Sequence, residues 1–287
     1  LKIRYADMFC GIGGFRLALN SVPSECVFSS DYDKNAQICY QALHGELPYT
    51  EDIRKYNYYD IPDIDLLCGG FPCCKFSMAG DRMGFASQDP RAQMFWELAK
   101  ILEIKKPTMF WFENVKGLLN HDEGNSFKSI LRKLDELGYD VEWFCPNAKD
   151  TGYPIIRERV FIVGHFREKP TKEIFPIETK SFAYDRNIKV YQYRRKRFRI
   201  TKGYVPTLTA SMGTGGNNVP MVITDNKLRK LTPRECFRLQ GMNDSDIDKL
   251  INTGLSNSAL YERAGRTIFQ PIAKNIAKKI YNSLNNL

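Results

Sequence analysis

The chain has no pair of cysteines spaced Cys-x-x-Cys, although eight cysteines stand among its 287 residues. Without such a pair neither a zinc ribbon nor a dithiol redox site is expected, and no metal is. There is also no apolar run near the ~20 residues that cross a bilayer, so no membrane partner is expected. No charged leader followed by an apolar block opens the sequence, so no signal peptide is expected. Internal repeats and long low-complexity tracts are missing. So is a Gly-Lys-Ser/Thr phosphate loop, which argues against a nucleoside triphosphatase. What is present suits a globular domain with a real core, since 43% of residues are hydrophobic. The thiols Cys10, Cys26, Cys39, Cys68, Cys73, Cys74, Cys145 and Cys236 lie scattered through apolar segments. A chain this long needs no disulfide staples, which implies reduced thiols and a cytoplasmic setting. The formal charge of +9 favours a polyanionic partner.

Short apolar runs alternate with helical patterns. Strands are predicted over Lys2–Phe9, Cys26–Ser30, Ile64–Cys68, Thr108–Phe112, Tyr139–Phe144 and Arg159–Gly164. Helices are predicted from near Phe15, over Asp33–Leu43, Gln93–Ile104, Phe127–Leu137 and, at the end, Ile272–Leu284. Strands separated by helices imply parallel pairing with right-handed crossovers, hence an α/β doubly wound, mostly parallel sheet. After about Phe166 this alternation stops, while charge, proline and tyrosine rise.

The turn "DMFCGIGGF" leaves the first strand and opens a helix. Its glycines let backbone pass close to a ligand. A tight turn with no ligand is the plain alternative. An acid is expected about twenty residues on, at the end of the second strand, to take ribose hydroxyls. Asp31 stands there, Tyr32 beside it is placed to stack on a purine, and Asp52 ends the next segment. Each acid alone reads as a cap or a solvated loop residue. Together they favour an adenosine-containing cofactor. In "LLCGGFPCCKFSMAG", Cys73 lies just past a strand, where the crevice of an open α/β sheet opens. Glu113 follows the apolar run "TMFWF" at the same edge and is placed to act as an acid. Arg157 and Arg159, two apart in "IRERVFIVG", are predicted to face one side of a strand, where they would favour a thiolate and hold an anion.

These stretches, with "SSDYD", "EDI", "FSMAGDRMGF", "FENVKGLL", "RKLTPRECFRLQGM" and "LYERAG", resemble the C5-cytosine DNA methyltransferases across nearly the whole chain. The resemblance implies the S-adenosylmethionine-dependent fold with a second, smaller target-recognition domain. Residues 1–167 plus 259–287 would form the catalytic and cofactor-binding domain, and 168–258 the recognition domain. Cys73 would be the nucleophile, Glu113 the group at cytosine N3, Arg159 the holder of O2, and Arg157 a support for the neighbouring structure. The cofactor would be lined by Asp7, Phe9, Gly11, Ile12, Gly13, Gly14, Asp31, Tyr32, Asp52, Ile53, Pro72, Cys74, Met94, Arg266 and Thr267. Double-stranded DNA is the implied partner of a monomer, cytoplasmic and of prokaryotic or phage origin, with a base flipped from the duplex. The segment Ser77–Asp89, with Ser77 and Arg82, resembles the loop that closes over that base. An RNA methyltransferase, a catalytically dead DNA binder and a thiol redox enzyme are the rival classes. The complete Cys/Glu/Arg set, the long recognition region and the strain of a Cys73–Cys74 disulfide weigh against them.

Lys189 to Lys202 carries seven cations interleaved with Tyr191, Tyr193 and Phe198. A solvated hairpin is the plain reading of any one of them. Together Arg194, Arg195, Arg197 and Arg199 read as a DNA-contacting surface. Thr207 and Leu208 then lead a glycine-rich loop, Gly213, Gly215 and Gly216, able to press backbone against DNA. The sequence departs from the family at Asp31 (usually Glu), Tyr32 (often Trp), Ile155 (usually Gln), Cys74 (usually Gln) and Arg266 (usually Asn). The last two converge near the transferable group in the family fold. A cation at ~4 Å from a sulfonium is repelled by roughly 4 kcal/mol at an effective dielectric of ~20. Arg266 therefore needs an anion. Either Glu262 or a DNA phosphate supplies it, with S-adenosylmethionine as donor, or the donor is carboxy-S-adenosylmethionine and the product 5-carboxymethylcytosine.

Overall fold

The computed structural model describes residues 2–71, 93–169, 171–178, 185, 187–194, 197–212, 214 and 218–285. The first half is built from β1 (Ile3–Met8), α1 (Gly14–Leu19), β2 (Ser24–Ser30), α2 (Lys34–His44), β3 (Leu66–Gly69) and α3 (Met94–Lys105). It continues with β4 (Met109–Val115), α4 (Asn125–Glu136), β5 (Tyr139–Phe144) and β6 (Arg159–Phe166). These strands make one six-stranded sheet in the order β2-β1-β3-β4-β6-β5. The interior strands read as near-continuous apolar runs because both faces are covered. On one face Met109 and Trp111 of β4 pack with Phe15 of α1. On the other, Phe110 and Phe112 pack with Phe95 of α3 and Ile130 of α4.

β1 to β4 pair in parallel, as expected of strands joined through helices. β6 does not. It runs antiparallel to both β4 and β5, so the sheet is mixed, with its parallel part in β1 to β4. The cause is the connection: no full helix lies between β5 and β6, so the chain turns back and inserts β6 between β4 and β5. β4 also continues through Val115, so Glu113 sits inside the strand, opposite Phe161, rather than after it.

A second sheet follows, of β7 (Lys189–Arg194), β8 (Arg197–Lys202), β9 (Met221–Thr224) and β10 (Lys227–Lys230), in the antiparallel order β10-β9-β7-β8. Then come α5 (Pro233–Leu239), α6 (Asp244–Ile251), α7 (Asn257–Arg266) and α8 (Gln270–Asn285). The stretch "LTPREC" starts α5 sharply. Thr232 caps Glu235 N–H, Glu235 returns the bond, and Pro233 takes a first-turn position that needs no N–H donor. α5 packs on α7, α6 on α2, and α8 on α1, so these four helices lean on the first sheet's layer. Between the sheets, the segment around Ile174 is tied down twice. Glu142 accepts the N–H groups of Ile174 and Phe175 at 2.6 and 2.8 Å, and Lys279 of α8 donates to the Ile174 carbonyl at 2.9 Å.

Candidate active site

The register places Met8 beside Ser30 and Gly69, and Gly69 beside Phe112. The loops leaving β1, β2, β3 and β4 therefore emerge side by side at one edge, the usual crevice of an open α/β sheet. In the loop after β1, Phe9, Gly11 and Gly13 all have positive φ. A side chain at Gly13 would overlap the His44 ring, whereas a Cβ at Gly11 would enter open space. Asp31 organises this loop. Its Oδ2 accepts Gly11 N–H at 2.8 Å and its Oδ1 accepts Asp33 N–H at 2.9 Å. Burial raises the Asp31 carboxyl above its ordinary value, and the Asp33 and Gly11 N–H groups act against that rise. Tyr32, 68% exposed, stands at the crest of the arch between the two acids.

Asp52 accepts the Arg54 side chain, Nε at 2.9 Å, and Arg54 N–H, which holds its carboxyl below the usual range. Ile12, Gly14, Ile53, Met94 and Thr267 are buried, and Phe9 is half-buried. Asp7 is fully buried beneath the loop, and neither of its carboxyl oxygens has a hydrogen-bond partner. The hydroxyl of Thr267 is likewise buried without one. An open backbone at Gly11, an exposed ring at Tyr32 and unsatisfied acceptors behind them fit an adenosine-bearing cofactor.

Pro72, Cys73, Cys74, Ser77 and Arg82 lie outside the described residues. The backbone leading to them is well held. Asn114 Nδ2 donates to the Phe71 carbonyl at 2.8 Å, and Glu113 Oε2 lies 3.8 Å from where a Cβ of Gly70 would stand. Arg159 Nε sits 3.0 Å from Glu113 Oε1, so the antiparallel insertion of β6 is what brings acid and guanidinium together. Arg157 is separate from this pair. It precedes β6 and is buried, which corrects the reading of two arginines on one strand face. It donates to the carbonyls of Leu208 at 3.4 Å, Gly265 at 3.2 Å and Thr267 at 2.6 Å. Burial, with Arg159 adding like charge, lowers its pKa to about 9, still a cation at neutral pH.

Arg266 has its counterions within the chain. Its guanidinium lies 2.6 Å from Glu262 and 3.8 Å from Asp33, and its side chain is 55% exposed. Sequence reasoning missed the neighbour that completes this cluster. Arg263, 2% exposed, donates to Asp33 at 2.9 Å and lies 2.9 Å from Glu262. The available signal was Asp33 as a helix cap in "DYDKNAQ". Nothing in the sequence named its partner.

On the second sheet, strand alternation sorts the basic stretch. Tyr191 pairs with Ile200 and Tyr193 with Phe198, so these share one face, while Gln192 and Arg199 pair on the other. Arg197 and Arg199 are exposed, as are Phe198 and Ile200. Arg194 pairs with Arg197 at the hairpin end. Arg195, Gly213, Gly215 and Gly216 lie outside the described residues. The Thr207 hydroxyl donates to the Ile156 carbonyl at 2.8 Å, and the Leu208 side chain is fully buried. That side chain has no surface to offer DNA. Among the described residues no group of three or more His, Cys, Asp or Glu could hold a metal ion, and no helix is long and apolar enough to cross a membrane.

A family model described as C-5 cytosine-specific DNA methylase matches residues 3–189 and 171–282. Type II methyltransferase M.Bsp6I of Bacillus sp. (strain RFL6) is 37% identical over 318 residues, covering 98% of this chain and 99% of that protein. Type II methyltransferase M.HaeII of Haemophilus aegyptius is 38% identical over 305 residues, covering 97% of this chain and 93% of that protein. The crystal structure of S. pombe Dnmt2 methyltransferase matches with a TM-score of 0.74 at 18% identity, over 99% of this chain and 100% of that one. At that identity the likeness speaks to fold alone.

Proposed function

This chain belongs to the C-5 cytosine-specific DNA methylase family, and from that premise we propose that it methylates C5 of a cytosine flipped out of duplex DNA, with Cys73 as nucleophile. The observation that carries the reading is the Glu113–Arg159 pair at 3.0 Å, set beside Gly70 at the root of the segment that bears Cys73. A thiolate adds to C6, and the ring electrons move to C5. Glu113 meets N3 and draws charge off the ring, while Arg159 holds the O2 edge. S-adenosylmethionine, when bound, supplies an electrophilic methyl group on a sulfonium. Loss of the C5 proton then breaks the C6–S bond and frees Cys73. Extruding the base costs on the order of a few kcal/mol, which the exposed cations of the second sheet help to offset through phosphate contacts.

The Gly11 loop, Asp31 and Tyr32 would hold the adenosine end of the donor. Residues 1–167 plus 259–287 would act as the catalytic unit and 168–258 as the recognition unit. The relatives' names support a place in a restriction–modification pair. Carboxy-S-adenosylmethionine has less support as donor. It rests on the paired departures at Cys74 and Arg266, and Glu262 and Asp33 already stand against Arg266. One experiment tests the whole reading. Duplex DNA is incubated with the full chain and either donor, then digested and its nucleosides weighed by mass spectrometry. The expected result is 5-methylcytosine from S-adenosylmethionine, lost in Cys73→Ala although DNA binding persists. Methylation by Cys73→Ala would refute the nucleophile, and a carboxymethyl product in preference to a methyl one would refute the donor.

A further inference from the structure

Two acids flank Tyr32, and each is anchored to a different part of the chain. Asp31 holds the cofactor loop through Gly11 N–H at 2.8 Å and is itself bonded by Asp33 N–H at 2.9 Å. Asp33 caps α2 with one oxygen, accepting Asn35 and Ala36 N–H at 3.0 and 3.1 Å. Its other oxygen takes Arg263 of α7 at 2.9 Å. Arg263 is almost wholly buried, and the same Nη2 lies 2.9 Å from Glu262 as well. The arch that carries the exposed Tyr32 ring is thus fastened at one end to the glycine loop and at the other to α7.

We propose that Arg263 is a positioning residue for the donor: through Asp33 and Asp31 it sets the height and tilt of the Tyr32 arch over the Gly11 loop, and so sets donor affinity. The inference rests on the reading of this crevice as the S-adenosylmethionine pocket. Arg263 suits the task because its buried Nη2 stands 2.9 Å from Asp33 and 2.9 Å from Glu262, so one cation ties the two carboxylates together. The role is distinct from chemistry at the base, since Arg263 touches neither Glu113 nor Arg159 in any hydrogen bond or ion pair between described residues.

The test measures S-adenosylhomocysteine binding by calorimetry on the full chain, together with steady-state kinetics. Arg263→Met and Asp33→Asn are each expected to weaken binding about tenfold. KM for the donor should rise by the same factor, with KM for DNA within twofold of wild type. Arg263→Lys should recover part of the loss. The Arg263→Met/Asp33→Asn double variant should be little worse than either single one, because both cut the same link. Asp33→Asn keeps a capping side chain, so it reports even where Arg263→Met fails to fold. Donor affinity within twofold of wild type in Asp33→Asn overturns the proposal, as does an equal rise in both KM values. A wild-type chain that does not bind S-adenosylhomocysteine overturns the reading of the pocket and this role with it. A binding wild type with unchanged variants overturns this role alone.

Discussion

Asp7→Asn should flatten part of the pH dependence of folding. Asp7 is fully buried on β1, and both of its oxygens lack partners. Burial raises its pKa to about 8, with Arg16 opposing and Asp31 adding to the rise. In the unfolded chain the group titrates near the ordinary aspartate value of 3.8. Between those two values the folded state keeps a proton that the unfolded state has lost. Stability therefore falls as pH rises through this window, by up to roughly 1.4 kcal/mol per pH unit. From about pH 5 to about pH 7 the wild type should lose on the order of 3 kcal/mol relative to the variant.

His44 works in the opposite direction. Burial lowers its pKa from 6.5 to about 4. Its folded state binds fewer protons than the unfolded state there, so stability rises with pH across that range. This contribution is common to both proteins and cancels in the difference. The assay is urea unfolding of wild type and Asp7→Asn, without donor, at several pH values across the window. A stability difference that stays level to within ~0.5 kcal/mol from about pH 5 to about pH 8 would show that Asp7 titrates normally in the fold, and the burial argument would fail.

The other expectations concern the cofactor loop and the DNA face. Gly13→Ala forces a side chain into a left-handed backbone and onto the His44 ring, which contacts the Ile12 carbonyl at 3.2 Å. The backbone conformation alone should cost about 1 to 2 kcal/mol. Thermal unfolding and S-adenosylhomocysteine binding should both weaken, and an unchanged melting temperature would contradict the steric account. DNA binding should fall steeply with salt. Two phosphate contacts from the exposed Arg197 and Arg199, which share one strand face, would contribute about −1.8 to the slope of log K against log salt. Arg199→Ala should reduce its size by about 1, and a slope unaffected by that change would remove Arg199 from the phosphate surface.

The sequence by itself determined the elements of the first sheet and the order of the site loops. Those signals are local. Apolar runs bounded by Gly-rich turns mark strands entering a ligand edge, and spacing alone put Asp31 just past β2, where it meets Gly11. The alternation in Lys189–Lys202 likewise contained the later sorting of rings and arginines, since side chains on a strand alternate faces.

Tertiary structure decided what depends on partners distant in sequence. The direction of β6 followed from how the chain turns after β5, and that direction laid Arg159 against Glu113. Arg157 looked like a twin of Arg159. It became a buried tie to Leu208, Gly265 and Thr267 because those carbonyls converge on it from more than 50 residues away. Arg266 had Glu262, a DNA phosphate or the donor itself as its expected anion, and α7 set Glu262 and also Asp33 beside it. Arg263 was not singled out by the sequence, for its hydrogen bond to Asp33 spans 230 residues. A cation's role is set by the charges that packing gathers around it, and linear spacing does not encode that gathering.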